Sequence, residues 1–254
     1  NVKIIDFRKV IDYNNGHIKN SLQIWRSDIE DHSFPYGGMK ASKKQLEVLF
    51  SKLGIRKDDT LLIFDDKGLC DAARLWWVLQ YYNFTKVKLL DGGFSTIRAA
   101  KIPLTTNKSK VSTTNFSFST KINKQFHASK NQLEKAVEKG AIIIDTRTSD
   151  EYLGKIMKKG AFAKGRITSS KLLDWANAIN YSGDKKVKSK LQLEEIYTKI
   201  GAKKSDTIFV YCHSGVRSAH TTFVLTQLLG YKHVLNYDGS WTEWSYFKKK
   251  NQDK

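Results

Sequence analysis

The chain is poor in the features that mark several protein classes. It has 2 cysteines among 254 residues, Cys70 and Cys212. That count excludes a disulfide framework and leaves the redox compartment open. No run of ~18 consecutive apolar residues occurs, so no membrane-spanning helix is expected. The first residues include neither Met nor an apolar signal segment, which reads as a processed or trimmed chain of cytoplasmic or periplasmic setting. No His, Cys, Asp or Glu cluster has metal-ligand spacing and no phosphate-loop pattern stands up, so neither a metal nor a cofactor is expected. Acidic residues are the scarcer charge, 25 against 44 basic, for a net charge of +19. Such a balance suits nucleic acid or a membrane surface. The excess is scattered lysine, however, with no Arg-rich run, and the densest spots are Lys158-Lys159 and Lys248-Lys249-Lys250. A solvated lysine surface that concentrates small anions fits better, so neither nucleic acid nor membrane is expected as a partner.

What is present is ordinary for a globular chain: 40% hydrophobic and 27% charged residues. The length allows one large or two small domains. Short apolar β-runs at Leu61–Phe64, Val87–Leu90, Ala141–Ile144, Ile208–Tyr211 and Val234–Tyr237 alternate with amphipathic helical patterns. That alternation predicts an α/β fold, with parallel sheets covered on both faces. Ligands of such sheets bind beyond the carboxyl ends of the strands.

The sequence repeats itself. Ile4-Ile5-Asp6-Phe7-Arg8 matches Ile143-Ile144-Asp145-Thr146-Arg147. Leu53–Thr60 matches Ile200–Thr207, and Asp91-Gly92-Gly93-Phe94 matches Asp238-Gly239-Ser240-Trp241, both at an offset of 147 residues. The reading is one fold carried twice, over residues 1–102 and 126–254. The Ser-, Thr-, Lys- and Asn-rich stretch 103–125 shows no helical period and reads as an extended polar linker.

Tyr211-Cys212-His213-Ser214-Gly215-Val216-Arg217-Ser218 is the stretch with chemistry in it. It follows the β-run Thr207–Tyr211 and opens a helical pattern from Ser218 to Leu229. There the amides of His213 to Ser218 and the positive end of a helix dipole can converge on one sulfur. A free thiol is only about 3% thiolate at neutral pH. This loop, with Arg217 in it, favours the thiolate, which is the nucleophile. Gly215 relieves the tight curl of strain. At the shared offset Asp65 replaces Cys212, within Asp65-Asp66-Lys67-Gly68-Leu69-Cys70. The first half is therefore expected to be silent and the second catalytic.

The Asp-x-Arg strand ends, Gly16-His17-Ile18, the Cys212–Arg217 loop and Asp-Gly-x-aromatic near each half's end, in order and duplicated, resemble the tandem-domain rhodaneses, a sulfurtransferase family. The resemblance implies two rhodanese-like domains, each a parallel doubly wound sheet flanked by helices, the first inactive. It implies a small-molecule sulfur donor, a thiol or cyanide acceptor, and a persulfide on Cys212. Arg217 would stabilise the thiolate and leaving sulfite; His213, Ser214, Gly215, Val216 and Ser218 would line the substrate site, with Trp241 on its wall. A monomer is expected. Cysteine phosphatases of a related fold place Arg six positions after Cys; here the interval is five, a smaller ring that suits sulfur. The mercaptopyruvate branch typically has Cys-Gly-Ser-Gly and an Arg where this chain has Glu151, which favours thiosulfate. His32 points the other way, because that branch draws a His from its first domain to relay a proton through the loop Ser. A non-catalytic sulfur-carrier or regulatory module is a third reading, although such modules usually lose the cysteine. Blander roles stay open: a core thiol for Cys212, a solvent-facing His213, a core Trp241, and Arg8 and Arg147 as partners of nearby carboxylates.

Overall fold

A computed structural model describes residues 1–252. The chain divides into two units. The first comprises Asn1–Glu30, Ala41–Asn123 and Asn180–Val187; the second comprises Asp31–Lys40, Lys124–Ile179 and Lys188–Lys254.

In the first unit, strands β1 (Val2–Asp6), β3 (Leu22–Gln23), β4 (Thr60–Phe64) and β5 (Val87–Leu89) form a parallel sheet in the order β3-β1-β4-β5. β2 (His17–Ile18) pairs antiparallel with β6 (Leu104–Thr105). In the second unit, β7 (His127–Ala128), β8 (Ile142–Asp145), β9 (Lys171–Leu172), β10 (Thr207–Tyr211) and β11 (His233–Tyr237) form a parallel sheet in the order β7-β11-β10-β8-β9. Matching β1 to β8, β3 to β9, β4 to β10 and β5 to β11 superimposes the two orders, with β7 added at one edge. Register repeats as well: Asp6 pairs with Phe64, and Asp145 with Tyr211. The residue after each central strand, Asp65 or Cys212, therefore occupies the same place in both sheets.

β4 and β10 read as near-continuous β-branched and aromatic runs because both sheet faces are covered. Ile208, Val210 and Tyr211 are buried, as are Leu61, Ile63 and Phe64. The helices are α1 (Val10–Asn14), α2 (Lys43–Lys52), α3 (Cys70–Tyr81), α4 (Gly93–Ala99), α5 (Lys130–Glu138), α6 (Ser149–Tyr152), α7 (Lys190–Thr198), α8 (Val216–Phe223, continued as a π turn over Val224–Leu228) and α9 (Ser240–Gln252). Capping boxes start α2 at Ser42/Gln45 and α7 at Ser189/Gln192, positions related by the same 147-residue offset. Each box satisfies two otherwise orphaned amides at a helix start.

Of the stretch 103–125, residues 103–123 belong to the first unit. Phe116 and Phe118 are buried, and their rings lie 5.0 and 5.7 Å from that of Phe50. Two phenylalanines among Ser, Thr and Asn are too sparse to give a periodic signal, yet each removes a large apolar area from water.

Candidate active site

The site is a strand-to-helix loop. β10 ends at Tyr211, Cys212 follows, and α8 starts at Val216 with Gly215 as its N-cap at φ +75°. A left-handed backbone there suits glycine and turns the following amides inward. Several bonds fix the loop from behind. Cys212 N–H donates to Ser240 Oγ at 3.1 Å, and Asn236 Nδ2 donates to the Gly215 carbonyl at 3.2 Å. The amides of Trp241 and Thr242 donate to the carbonyls of Cys212 and His213, each at 3.0 Å.

Cys212 is buried, with 1% of its surface exposed. Burial alone pushes its thiol pKa up. The Arg217 charge, the Ser218 hydroxyl at 3.4 Å from Sγ and the amides of Ser218 and Ser214 oppose it, and the net direction is down. The sulfur is thus held by polar donors rather than sealed in hydrocarbon.

Arg217 is gripped by Glu151. Its two terminal nitrogens donate to Oε2 at 2.6 Å and Oε1 at 2.8 Å, a bidentate pair. Burial pushes the Glu151 pKa up, but the Arg217 bonds and charge outweigh it and bring the pKa to about 2. Glu151 is the N3 residue of α6, whose cap is Thr148. Read alone, it is a capping glutamate; its second partner lies 66 residues away and leaves no local signal.

His213 is buried, and Nε2 is 3.0 Å from the Lys159 carbonyl. A carbonyl only accepts, so Nε2 carries the proton. Burial, with the Lys158 and Arg217 charges, pushes its pKa down to about 4. The ring is neutral at physiological pH, and Nδ1 is a buried acceptor with no partner among the described residues.

Trp241 touches the loop through its backbone. Its ring lies in the core, with Nε1 donating to the Ala163 carbonyl at 2.9 Å and the Arg147 guanidinium 4.7 Å from the ring. Arg147 is in turn bidentate to Asp145 and reaches the Gly165 carbonyl at 2.7 Å. Arg8 repeats this arrangement with Asp6 and the Gly16 carbonyl. These two arginines brace strand ends. His32 is an exposed residue of the segment Asp31–Lys40, which packs within the second unit. Gly38 of that segment abuts Ser214.

The corresponding loop of the first unit shows what such a loop binds. Asp65 is fully buried. Its Oδ1 accepts from the amides of Lys67 and Leu69, both at 3.0 Å, and its Oδ2 from those of Asp71 and Ala72 at 2.8 and 3.0 Å. Four main-chain donors thus surround one anion. At the 147-residue offset the first three become Ser214, Val216 and Ser218. The fourth becomes Ala219, whose N–H is drawn instead into a helical bond to the Gly215 carbonyl at 3.3 Å.

No His, Cys, Asp and Glu group able to hold a metal occurs among the described residues, and no described helix is long and apolar enough to cross a membrane.

Comparison with known proteins agrees with this geometry. The Rhodanese-like domain family matches residues 1–100 and 129–246. The chain is 33% identical over 243 residues to the sulfur carrier protein TtuD of Thermus thermophilus, covering 91% of this chain and 83% of that one. It is 31% identical over 239 residues to a protein of Mycolicibacterium smegmatis provisionally named a thiosulfate sulfurtransferase, covering 91% and 84%. Its fold is similar to the crystal structure of Escherichia coli SseA, described as a 3-mercaptopyruvate sulfotransferase, with a TM-score of 0.80 at 24% identity over 94% of this chain and 92% of that one. With both halves matched and the two sheets sharing one strand order, the chain belongs to the rhodanese family of sulfurtransferases.

Proposed function

We propose that the chain moves a sulfane sulfur from thiosulfate to a thiol or cyanide acceptor through a persulfide on Cys212. The observation that carries the reading is the Asp65 carboxylate in its cup of amides. A carboxylate oxygen stands two bonds beyond Cβ, as does the outer sulfur of a cysteine persulfide. The first unit thus holds a stationary likeness of the loaded second unit. The amides of two of the homologous residues, Ser214 and Ser218, already favour the thiolate of Cys212. In the loaded state Val216 N–H joins them on the outer sulfur.

The chemistry balances as two displacements. The Cys212 thiolate attacks the outer sulfur of thiosulfate, a new S–S bond forms, and the old S–S bond breaks with its electron pair leaving on sulfite. Cyanide or a thiolate then attacks the outer persulfide sulfur and returns the thiolate of Cys212. Arg217 supplies positive charge where sulfite departs, and Glu151 orients it. His213, neutral and hydrogen-bonded to Lys159, walls the loop without adding charge.

The mercaptopyruvate reading needs an ionisable group that relays a proton to Ser214. Glu151, which pairs with Arg217 where that branch usually carries an Arg, favours thiosulfate. A carrier role, as the name of the Thermus relative suggests, uses the same persulfide and differs only in the acceptor.

Mass spectrometry after thiosulfate treatment tests the proposal. A gain of one sulfur atom on Cys212, reversed by cyanide and absent in Cys212→Ser but retained in Cys70→Ser, is the expected result. No adduct with any sulfane donor refutes it. Relative turnover of thiosulfate and 3-mercaptopyruvate then decides the donor.

A further inference from the structure

The segment Asp31–Lys40 derives from the first half of the sequence and packs within the second unit. Its base is closed by Asp31 N–H donating to the Met39 carbonyl at 2.9 Å. Tyr36 is buried, donates to Glu243 Oε1 at 2.9 Å, and packs 5.3 Å from the Tyr246 ring. Lys40 reaches Asp238 Oδ2 through its amide and its ammonium, each at 3.2 Å. The Gly37 carbonyl accepts from Thr242 Oγ1 at 2.8 Å, and Thr242 N–H donates to the His213 carbonyl at 3.0 Å. Segment and catalytic loop therefore hang on one residue of α9.

Gly38 is where the two meet. It is buried at φ +96°, a conformation that side chains rarely adopt. A Cβ at this position would stand 2.5 Å from Ser214 Cβ and 3.0 Å from both Ser214 Cα and its carbonyl oxygen. Non-bonded carbons prefer about 3.5–4.0 Å. Any side chain at position 38 must displace Ser214, which at the 147-residue offset takes the place of Lys67, whose N–H donates to Asp65 Oδ1 at 3.0 Å.

We propose that Gly38 is a positioning residue for sulfur transfer: its bare backbone backs Ser214 and keeps the Ser214 N–H aimed at Cys212 Sγ, so that a segment distant in sequence governs the nucleophile. This rests on the sulfurtransferase reading for its purpose, but its test reads the thiolate directly.

The experiment compares Gly38→Ala, Gly37→Ala and Gly230→Ala in the full chain. The pH dependence of Cys212 modification by methyl methanethiosulfonate is followed by mass spectrometry, beside thermal unfolding and kcat/KM. Gly38→Ala is expected to move the modification midpoint to higher pH, to slow modification at pH 6 about three-fold, and to lower kcat/KM in step, because the thiolate is the reactive form. A Cβ at Gly37 meets nothing within 4 Å, so Gly37→Ala should match wild type. Gly230 has φ +75° and also meets nothing within 4 Å, so Gly230→Ala carries backbone strain without the contact. It should lose stability and keep the wild-type midpoint. Should Gly38→Ala fail to fold, Tyr36→Phe, which loosens the segment from Glu243, is expected to move the midpoint the same way by a smaller amount. A Gly38→Ala profile that superimposes on that of Gly230→Ala, or an unmoved Tyr36→Phe midpoint where Gly38→Ala is lost, overturns the proposal. Failure of wild type to take up a sulfur atom would sink the sulfurtransferase reading instead, and the midpoints would still stand or fall alone.

Discussion

Removing one oxygen beside Cys212 tests the electrostatic account of the site with little other change. Ser218 is fully buried, its hydroxyl lies 3.4 Å from Sγ, and its main-chain N–H, which also favours the thiolate, survives substitution by alanine. A hydrogen bond to a charged acceptor contributes about 1.5–3 kcal/mol. A 3.4 Å contact to a large, diffuse sulfur belongs at the lower end, about 1.5 kcal/mol, which is a factor of about ten in thiolate population at a fixed pH below the midpoint. The more basic thiolate is also the better nucleophile. A Brønsted slope of about 0.4–0.5 returns roughly a factor of three. Ser218→Ala should therefore react with methyl methanethiosulfonate about three-fold more slowly than wild type at low pH and about three-fold faster on the alkaline plateau. The assay is the second-order rate at Cys212 from pH 5 to 10, and the two curves should cross. Superimposed curves would show that the hydroxyl does not stabilise the thiolate. A parallel drop at every pH would mean that the substitution merely misplaces the sulfur.

Three further outcomes follow from the same geometry. Burial and the neighbouring Asp71 charge push the Asp65 pKa up from 3.8 to about 6, against four amides that favour the ionised form. Stability from this group is complete below its unfolded value and is lost as pH rises through about 6, on the order of 3 kcal/mol in all. The difference in unfolding free energy between wild type and Asp65→Ala should change over that window; a flat difference from pH 3.5 to 7 would refute it. Glu151→Gln removes the bidentate carboxylate partner of Arg217 at a site where the guanidinium side chain is only 13% exposed. It should cost about 2 kcal/mol in urea unfolding at pH 7, somewhat less than the loss of one partner of a fully buried pair. His213 is neutral above about pH 4. The pH–rate profile should show no limb near 6.5 from it, and His213→Gln should leave the shape of the profile unchanged while altering its height.

How much of this was legible in the sequence depended on whether the signal was local. The β-runs at Leu61–Phe64 and Ile208–Tyr211, the 147-residue offset and the loop around Cys212 are contiguous stretches, and each reappears as a strand, a shared strand order or a strand-to-helix loop. In the sequence Glu151 stands out only as a departure from a related branch; its grip on Arg217 needs a fold that brings residues 66 apart together. Phe116 and Phe118 sit in a stretch whose average composition reads as linker, and two anchors are lost in such an average. Ser240, whose hydroxyl receives the Cys212 amide, aligns with Gly93 in the repeat, so the internal comparison gave no reason to single it out. Within residues 31–40 His32 stands out in the sequence for its ionisable ring, whereas Gly38, which lies against Ser214, offers only shape.

The two halves separate what the fold contributes from what the side chain contributes. Both loops leave the same strand position, both turn through a glycine in the left-handed region, Gly68 at φ +65° and Gly215 at φ +75°, and both direct amides inward. An anion cup is therefore a property of this strand–loop–helix backbone and arises whatever residue stands at its mouth. In the first unit Asp65 fills the cup with a tethered carboxylate that can neither leave nor accept a sulfur atom. In the second unit Cys212 stands at the mouth, and in the proposed cycle its negative charge shifts outward by one atom when a sulfur is added, the same cup receiving it at both stages. The residue equivalent to Arg217 in the first unit is Cys70, which carries no cation, at the start of α3, while the residue equivalent to Ser218 is Asp71, paired with Arg26. Conversion of one cup into the other would thus require a thiol, a cation and a hydroxyl to be exchanged together, and a lone Asp65→Cys substitution would place a sulfur near the Asp71 carboxylate, whose charge disfavours a second anion and draws the loop's Lys67 ammonium to 3.6 Å.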